Sequence, residues 1–198
     1  MIISFHTMRG TINLLSLRPE DMMAEIFADA LAKQNRYGGR TPEPWSVASH
    51  SMLVEALCPP EYRPWALLPD ANSVFMGEFM TPSVDLLVHT DGIATLPDAV
   101  AMTKGRVDRQ IAAAWGTAVL SRAATVRQAD HIAYLAEIRT FMGIRPDLPL
   151  NPAGAALAAP LPRSVQRGAG RLNSHRRELC RTIFLNPTSS PLLPPMPA

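Results

Sequence analysis

The chain has 198 residues, of which 47% are hydrophobic and 18% charged, with a net charge of +2; this is the composition of an ordinary packed domain and excludes a low-complexity or fibrous chain. No run approaches the ~20 apolar residues that a membrane-spanning helix needs, and Cys58 and Cys180 lie far apart with no neighbouring ligands, which excludes a disulfide framework or a zinc knuckle. A soluble, cytoplasmic protein without a membrane partner is expected.

Aromatic residues make up only 6%, so Ala, Leu, Ile, Val and the ten Met must fill the core, a mixture that favours an all-α fold. Residues 2–16 alternate apolar and polar on either side of Arg9-Gly10 and predict a short N-terminal β-hairpin. From Pro19 the spacing becomes helical, with Met22, Met23, Ile26, Phe27, Ala30 and Leu31 recurring after an acidic first turn, and Gly38-Gly39 supplying the stop. Ser46 can cap a second helix whose apolar stripe, Val47, Val54 and Leu57, includes His50 and so turns that histidine inward.

Pro59-Pro60 closes that helix, and a third helical segment, EYRPWALLPDANSVFMGEF, follows as far as Gly77 and Thr81-Pro82. His89 falls in the sequence HTDG, read as a loop. Another helix is expected over Asp98 to Trp115, and the clearest one spans about Ala123 to Met142, with Val126, Ala129, Ile132, Ala133, Ala136 and Phe141 on its apolar face. Asp130 lies inside this last helix, and a carboxylate at such a position requires a partner. His131, one step further round, is expected at the surface.

Beyond residue 142 the character changes. Residues 143–198 hold seven Arg against Asp147 and Glu178, and ten of the nineteen prolines. The packed domain is therefore expected over residues 1–145, and residues 146–198 as an irregular tail, because proline removes donors and fixes φ. With Phe184 as its only aromatic, this tail lacks the interleaved rings that stack on bases, so nucleic acid is not an expected partner.

Three potential ligands, His50, Asp70 and Asp130, fall on three different predicted helices, and nitrogen with carboxylate oxygen suits a divalent transition metal. Residue types alone leave open a satisfied core histidine and a capping aspartate. The surrounding words go further. GTINLL, RPEDMMAEIFADALA, NRYGGRTPEPWSVASHS, ALLPDANSVFMGEFMTP, VDRQIAAAWG and RQADHIAYLAEIRTFM together resemble the HD-domain phosphohydrolases, in particular bacterial 5′-deoxynucleotidases and phage deoxynucleotide triphosphohydrolases, over roughly residues 5–142.

The resemblance implies an HD-domain helical bundle that hydrolyses nucleotides, with His50, Asp70 and Asp130 as ligands of a divalent ion (Zn, Mn, Co or Mg). It implies Arg36 as the phosphate-binding side chain, whose bland alternative is a solvated helix-end cation. It also implies a homodimer. Two positions depart from the pattern: Pro69 stands where a ligand histidine is expected, which leaves three protein ligands, and Ser73 stands where a glutamate assists proton transfer. Glu78 keeps a carboxylate just after Gly77; Glu78 and Ser73 are the positions the resemblance assigns to catalysis, although a serine cannot supply general acid–base help near neutral pH. An alternative implication is a catalytically inactive homologue that binds nucleotide or regulates.

Overall fold

In the computed structural model, residues 1–66, 68–114 and 123–143 are described. The expected domain end near residue 145, the Pro/Arg-rich tail and Trp115 lie outside them. The described residues are mostly helical, with one two-stranded antiparallel sheet among them. Among the described residues no helix is long and apolar enough to cross a membrane.

Strands β1 (Ser4–Thr7) and β2 (Gly10–Asn13) pair from Ser4 with Asn13 to Thr7 with Gly10, as the alternation around Arg9-Gly10 predicts. The hairpin covers one end of the core, where Ile12 and Leu14 pack and the Phe5 ring meets Phe75 edge-on at 6.5 Å.

The first helix is shorter than the periodicity suggests. Pro19–Met22 form a single 3-10 turn, Met23 is extended (φ −67°, ψ 139°), and α1 runs only over Ala24–Lys33. Gln34 is extended as well, so the helix stops before the glycines are reached. Residues 35–46 then form a loop pinned at its neck, where the Arg36 amide donates to the Trp45 carbonyl and the Val47 amide to the Gln34 carbonyl, both at 2.8 Å.

Helix α2 (Val47–Leu57) begins where expected. The Ser46 hydroxyl accepts from the Ser49 amide at 3.1 Å, which satisfies one of the donors that a helix start leaves open. The expected third helix is instead broken into α3 (Arg63–Ala66) and α4 (Ser73–Met76), with tight turns over Pro69–Asn72 between them. Pro69 is the reason: it has no amide to give to a helical ladder, and its ring collides with the preceding turn.

Thr81-Pro82, read as a terminator, in fact begins a helix. Pro82 lies in the first turn of α5 (Thr81–Asp91), where its missing amide costs nothing, and His89 belongs to the last turn of this helix rather than to a loop. Helices α6 (Leu96–Ala114) and α7 (Ala124–Met142) follow close to their expected limits.

Helix α2 is the centre of the packing. Val47 and Ala48 join Phe27, Leu31, Val74, Phe75, Val107 and Ile111 on one side. Val54 and Cys58 join Ala66, Val126, Ala129 and Ala133 on the other, where α2 and α7 make their extensive contact. The Phe27 and Phe75 rings meet at 5.5 Å and 83°, the edge-to-face arrangement that aromatic quadrupoles favour.

Because the cap orients the helix that carries His50, its removal has a defined cost. Ser46→Ala is expected to lower the stability by about 1 kcal/mol, read from the urea midpoint at constant m; an unchanged midpoint would show that the hydroxyl contributes nothing.

Candidate functional site

One end of the α2–α7 contact is polar. His50 stands one turn into α2 and is 1% exposed, so the inward direction expected from the stripe is realised. Asp130 and Glu137 are seven residues apart on α7, two turns, which brings both to nearly the same face. The loop between α1 and α2 adds Arg36 and Tyr37. Here Tyr37, Gly38 and Gly39 all have positive φ (57°, 60° and 74°), a conformation natural to glycine but costly for tyrosine, on the order of 1 kcal/mol. Asp70 comes from the turn after Pro69, and Gly77, with φ 72° and ψ 178°, ends α4 so that Glu78 faces the same cluster.

The centre of this arrangement is Glu137, which is 0% exposed. Its Oε1 accepts from His50 Nδ1 at 2.6 Å and from Trp45 Nε1 at 2.8 Å. Its Oε2 accepts from the Tyr37 hydroxyl at 2.6 Å and from Arg36 Nε at 3.1 Å. The other ring nitrogen of His50, Nε2, lies 2.8 Å from Asp130 Oδ1 and 3.7 Å from Asp70 Oδ2. The Arg36 amino end lies 3.5 Å from Asp70 and 3.8 Å from Glu78.

Burial penalises every charge here, and the partners decide which survive. Burial works against the imidazolium of His50, but its bonds to Asp130 and Glu137 outweigh that and lift its pKa to about 9. Burial likewise opposes ionisation of Glu137, yet His50, Arg36 and Tyr37 hold its carboxyl down to about 2. Arg36 is penalised by burial and raised on balance by Glu137 and Asp70. The Tyr37 phenol is pushed up by burial and by the adjacent Glu137, so it stays a donor. Burial also raises Glu78, against the opposing pull of Arg36.

These states restrict what His50 Nε2 can face. Glu137 is ionised and can only accept, so His50 Nδ1 carries a proton. A bare lone pair on Nε2 would then point at the anionic oxygens of Asp130 and Asp70, which repel it. Some positive species must sit between them, either a proton or a cation. Four carboxylates face one guanidinium and one imidazole, so the cluster keeps excess negative charge even with His50 protonated.

The donor types, one imidazole nitrogen and carboxylate oxygens, suit a divalent ion by chemistry. Two ligand atoms each about 2.1 Å from one ion lie roughly 3 to 3.4 Å apart, and the separations from Nε2, 2.8 and 3.7 Å, bracket that range. Among the described residues no group of three or more His, Cys, Asp or Glu side chains is arranged so that it could hold a metal ion. His50 and Asp130 are joined directly, and an ion entering between them would displace the shared proton.

The structure thus brings Arg36, His50, Asp70, Asp130 and Glu78 together. Arg36 is not a solvated helix-end cation, since its side chain is 13% exposed and paired. Ser73 is buried at the start of α4, where its carbonyl accepts from Gln34 Nε2 at 2.9 Å. His131 is exposed, as its position on α7 predicts. Glu137, Tyr37 and Trp45 were not anticipated. The one available signal was a second acid on the buried face of α7, two turns after Asp130.

The signs of the two shifts define a pH window. His50 rises from 6.5 to about 9 on folding, so its contribution is complete below 6.5 and is lost as pH climbs through 9. Glu137 falls from 4.5 to about 2, so its contribution is complete above 4.5 and is lost as pH drops through 2. Chelator-treated protein is expected to have its highest urea midpoint between pH 4.5 and 6.5 and to weaken steadily towards pH 9; a profile that is flat from pH 6 to 9.5 would contradict this charge assignment.

Comparison with known proteins adds no relative: no family model matches this chain, and no curated protein matches it.

Proposed function

We propose that this chain is an HD-type metal-dependent phosphohydrolase that acts on nucleotides, most naturally deoxynucleotides, at the cluster around His50, with weakened catalysis. The observation that carries this reading is His50 itself. One ring nitrogen is committed to a buried carboxylate at 2.6 Å, and the other is aimed at two aspartates from different elements. This is the second-sphere arrangement that orients a metal-binding imidazole.

A divalent ion held by His50, Asp70 and Asp130 would bind a phosphate oxygen and lower the pKa of a water. The protein's own side chains supply the rest. Arg36 offers a planar, permanently charged guanidinium; its Nε is fixed by Glu137, and its amino end makes a long hydrogen bond to Asp70 at 3.5 Å and a looser ion pair with Glu78 at 3.8 Å, which a phosphate would replace. Glu78 has a carboxyl whose pKa is raised by burial, a suitable property for a group that passes a proton to a leaving oxygen. Ser73, whose hydroxyl does not ionise near neutral pH, cannot take that role. Trp45 and Glu137 close the back of the site against water.

The weakening follows from Pro69, which provides no ligand atom and leaves the ion three protein donors. The same observation favours a second reading, in which the cluster binds ion and nucleotide without turnover. The homodimer implied by the resemblance remains part of the proposal rather than of the fold.

Protein stripped by chelator and then titrated with Mn²⁺ is expected to take up one ion per chain. Asp130→Asn should reduce the affinity at least as much as the about 10- to 100-fold typical of losing an outer partner of a metal ligand. With Mn²⁺ bound, slow release of inorganic phosphate from a deoxynucleoside monophosphate is expected, and none from Asp130→Asn. Binding of both ligands without phosphate release would establish the second reading, and absence of Mn²⁺ uptake would defeat both.

A further inference from the structure

We propose, resting on the cation and phosphate reading above, that Glu137 is a positioning residue whose single carboxylate orients the imidazole of His50 and the guanidinium of Arg36 together, so that one buried group sets both halves of the site. Each of its oxygens serves one half. Oε1 holds the ring that faces Asp70 and Asp130, and Oε2 holds the guanidinium that faces Asp70 and Glu78.

The carboxylate is itself held from behind. Trp45 Nε1 and the Tyr37 hydroxyl occupy the second acceptor position on each oxygen, so the group cannot turn about its own axis without breaking two bonds at once. It also sits in the middle of α7, with buried residues before and after it, so the backbone beneath it is fixed. On the loop side, the Arg36 amide is bonded to Trp45, and Tyr37 is kept in a left-handed conformation that directs consecutive side chains, Arg36 and Tyr37, to the same oxygen. Strain of this kind persists only where the surroundings over-determine it.

Glu137 has no solvent exposure and lies behind both groups that it holds, so it touches neither ion nor phosphate. Its effect is transmitted. A carboxylate that aligns a metal-binding histidine is worth about 10- to 100-fold in affinity, and the same side chain here also fixes the anion-binding group. Loss of Glu137 therefore weakens two ligands that bind to different residues.

Glu137→Gln keeps the volume but replaces one acceptor oxygen by a donor, which opposes two of the four incoming bonds. The test uses the full chain, with Leu31→Ala, a buried site on α1, as a control for lost stability. In the metal-free wild type, ¹⁵N NMR is expected to show His50 Nδ1–H and Arg36 Nε–H both protected from exchange. In E137Q both signals are expected to be lost together, with Mn²⁺ affinity about 10- to 100-fold lower and inorganic phosphate binding to the Mn²⁺-loaded protein also weaker. Leu31→Ala is expected to keep both signals and to bind Mn²⁺ within about twofold of wild type.

Retention of either signal in folded E137Q, or equal losses in the Leu31 control, would overturn the proposal. If E137Q does not fold, the wild type decides, because absence of protection at either nitrogen there excludes a shared anchor. If the wild type takes up no Mn²⁺, the phosphohydrolase reading fails, while the two NMR signals still decide the role of Glu137.

Discussion

A carboxylate without water is the constraint around which this molecule is arranged. Removing an ionised glutamate from solvent costs several kcal/mol unless donors replace the lost hydration. Glu137 meets that cost with four donors, and all four belong to the loop between α1 and α2 or to the first turn of α2. They lie 87 to 101 residues away in sequence. The bond set therefore acts as a clasp: α7 reaches its place only when the loop and α2 are in theirs. Removing one partner of such a cluster is far more damaging than its net worth suggests, because the others remain buried and charged.

The clasp leaves His50 with one free edge, and that edge is where chemistry can occur. A ring whose Nδ1 proton is committed has a single remaining nitrogen, aimed at Asp130 and Asp70. A proton between His50 Nε2 and Asp130 fills the gap, and it is held there because the bonds to Asp130 and Glu137 outweigh the burial of the imidazolium. An ion bound there, as proposed, would have to displace that proton. Pro69 shapes the opposite wall. By breaking the helix it places Asp70 on a turn, where its side chain is partly exposed and close to both His50 and Arg36.

Much of this was readable from residue order. The Ser46 cap and the stripe through Val47 and Val54 fixed the direction of His50; Asp130, expected to need a partner among apolar neighbours, does pair with His50, but its side chain is 45% exposed, so burial is not what demands the pair. Arg36 was singled out only through the resemblance, by its place before the glycine pair, and the structure shows it paired in the cluster rather than solvated. Other features were hidden for physical reasons. Glu137 looks like a solvated helix acid, because its burial depends on donors from another part of the chain. Thr81-Pro82 is ambiguous, since proline ends a helix from within but begins one from its first turn. The break at Met23 is a backbone choice that apolar spacing does not record. Ser73 is buried at the start of a separate short helix, α4, whereas the sequence suggested one helical segment running from Glu61 through it.

The central claim is that the gap between His50 Nε2 and the two aspartates is a cation site. Its most direct test is anomalous X-ray scattering from crystals grown with Mn²⁺, recorded on either side of the manganese edge. The account predicts one peak bonded to His50 Nε2 and to carboxylate oxygens of both Asp70 and Asp130. A map with no peak there, in which His50 and Asp130 remain directly hydrogen-bonded at saturating Mn²⁺, would contradict it.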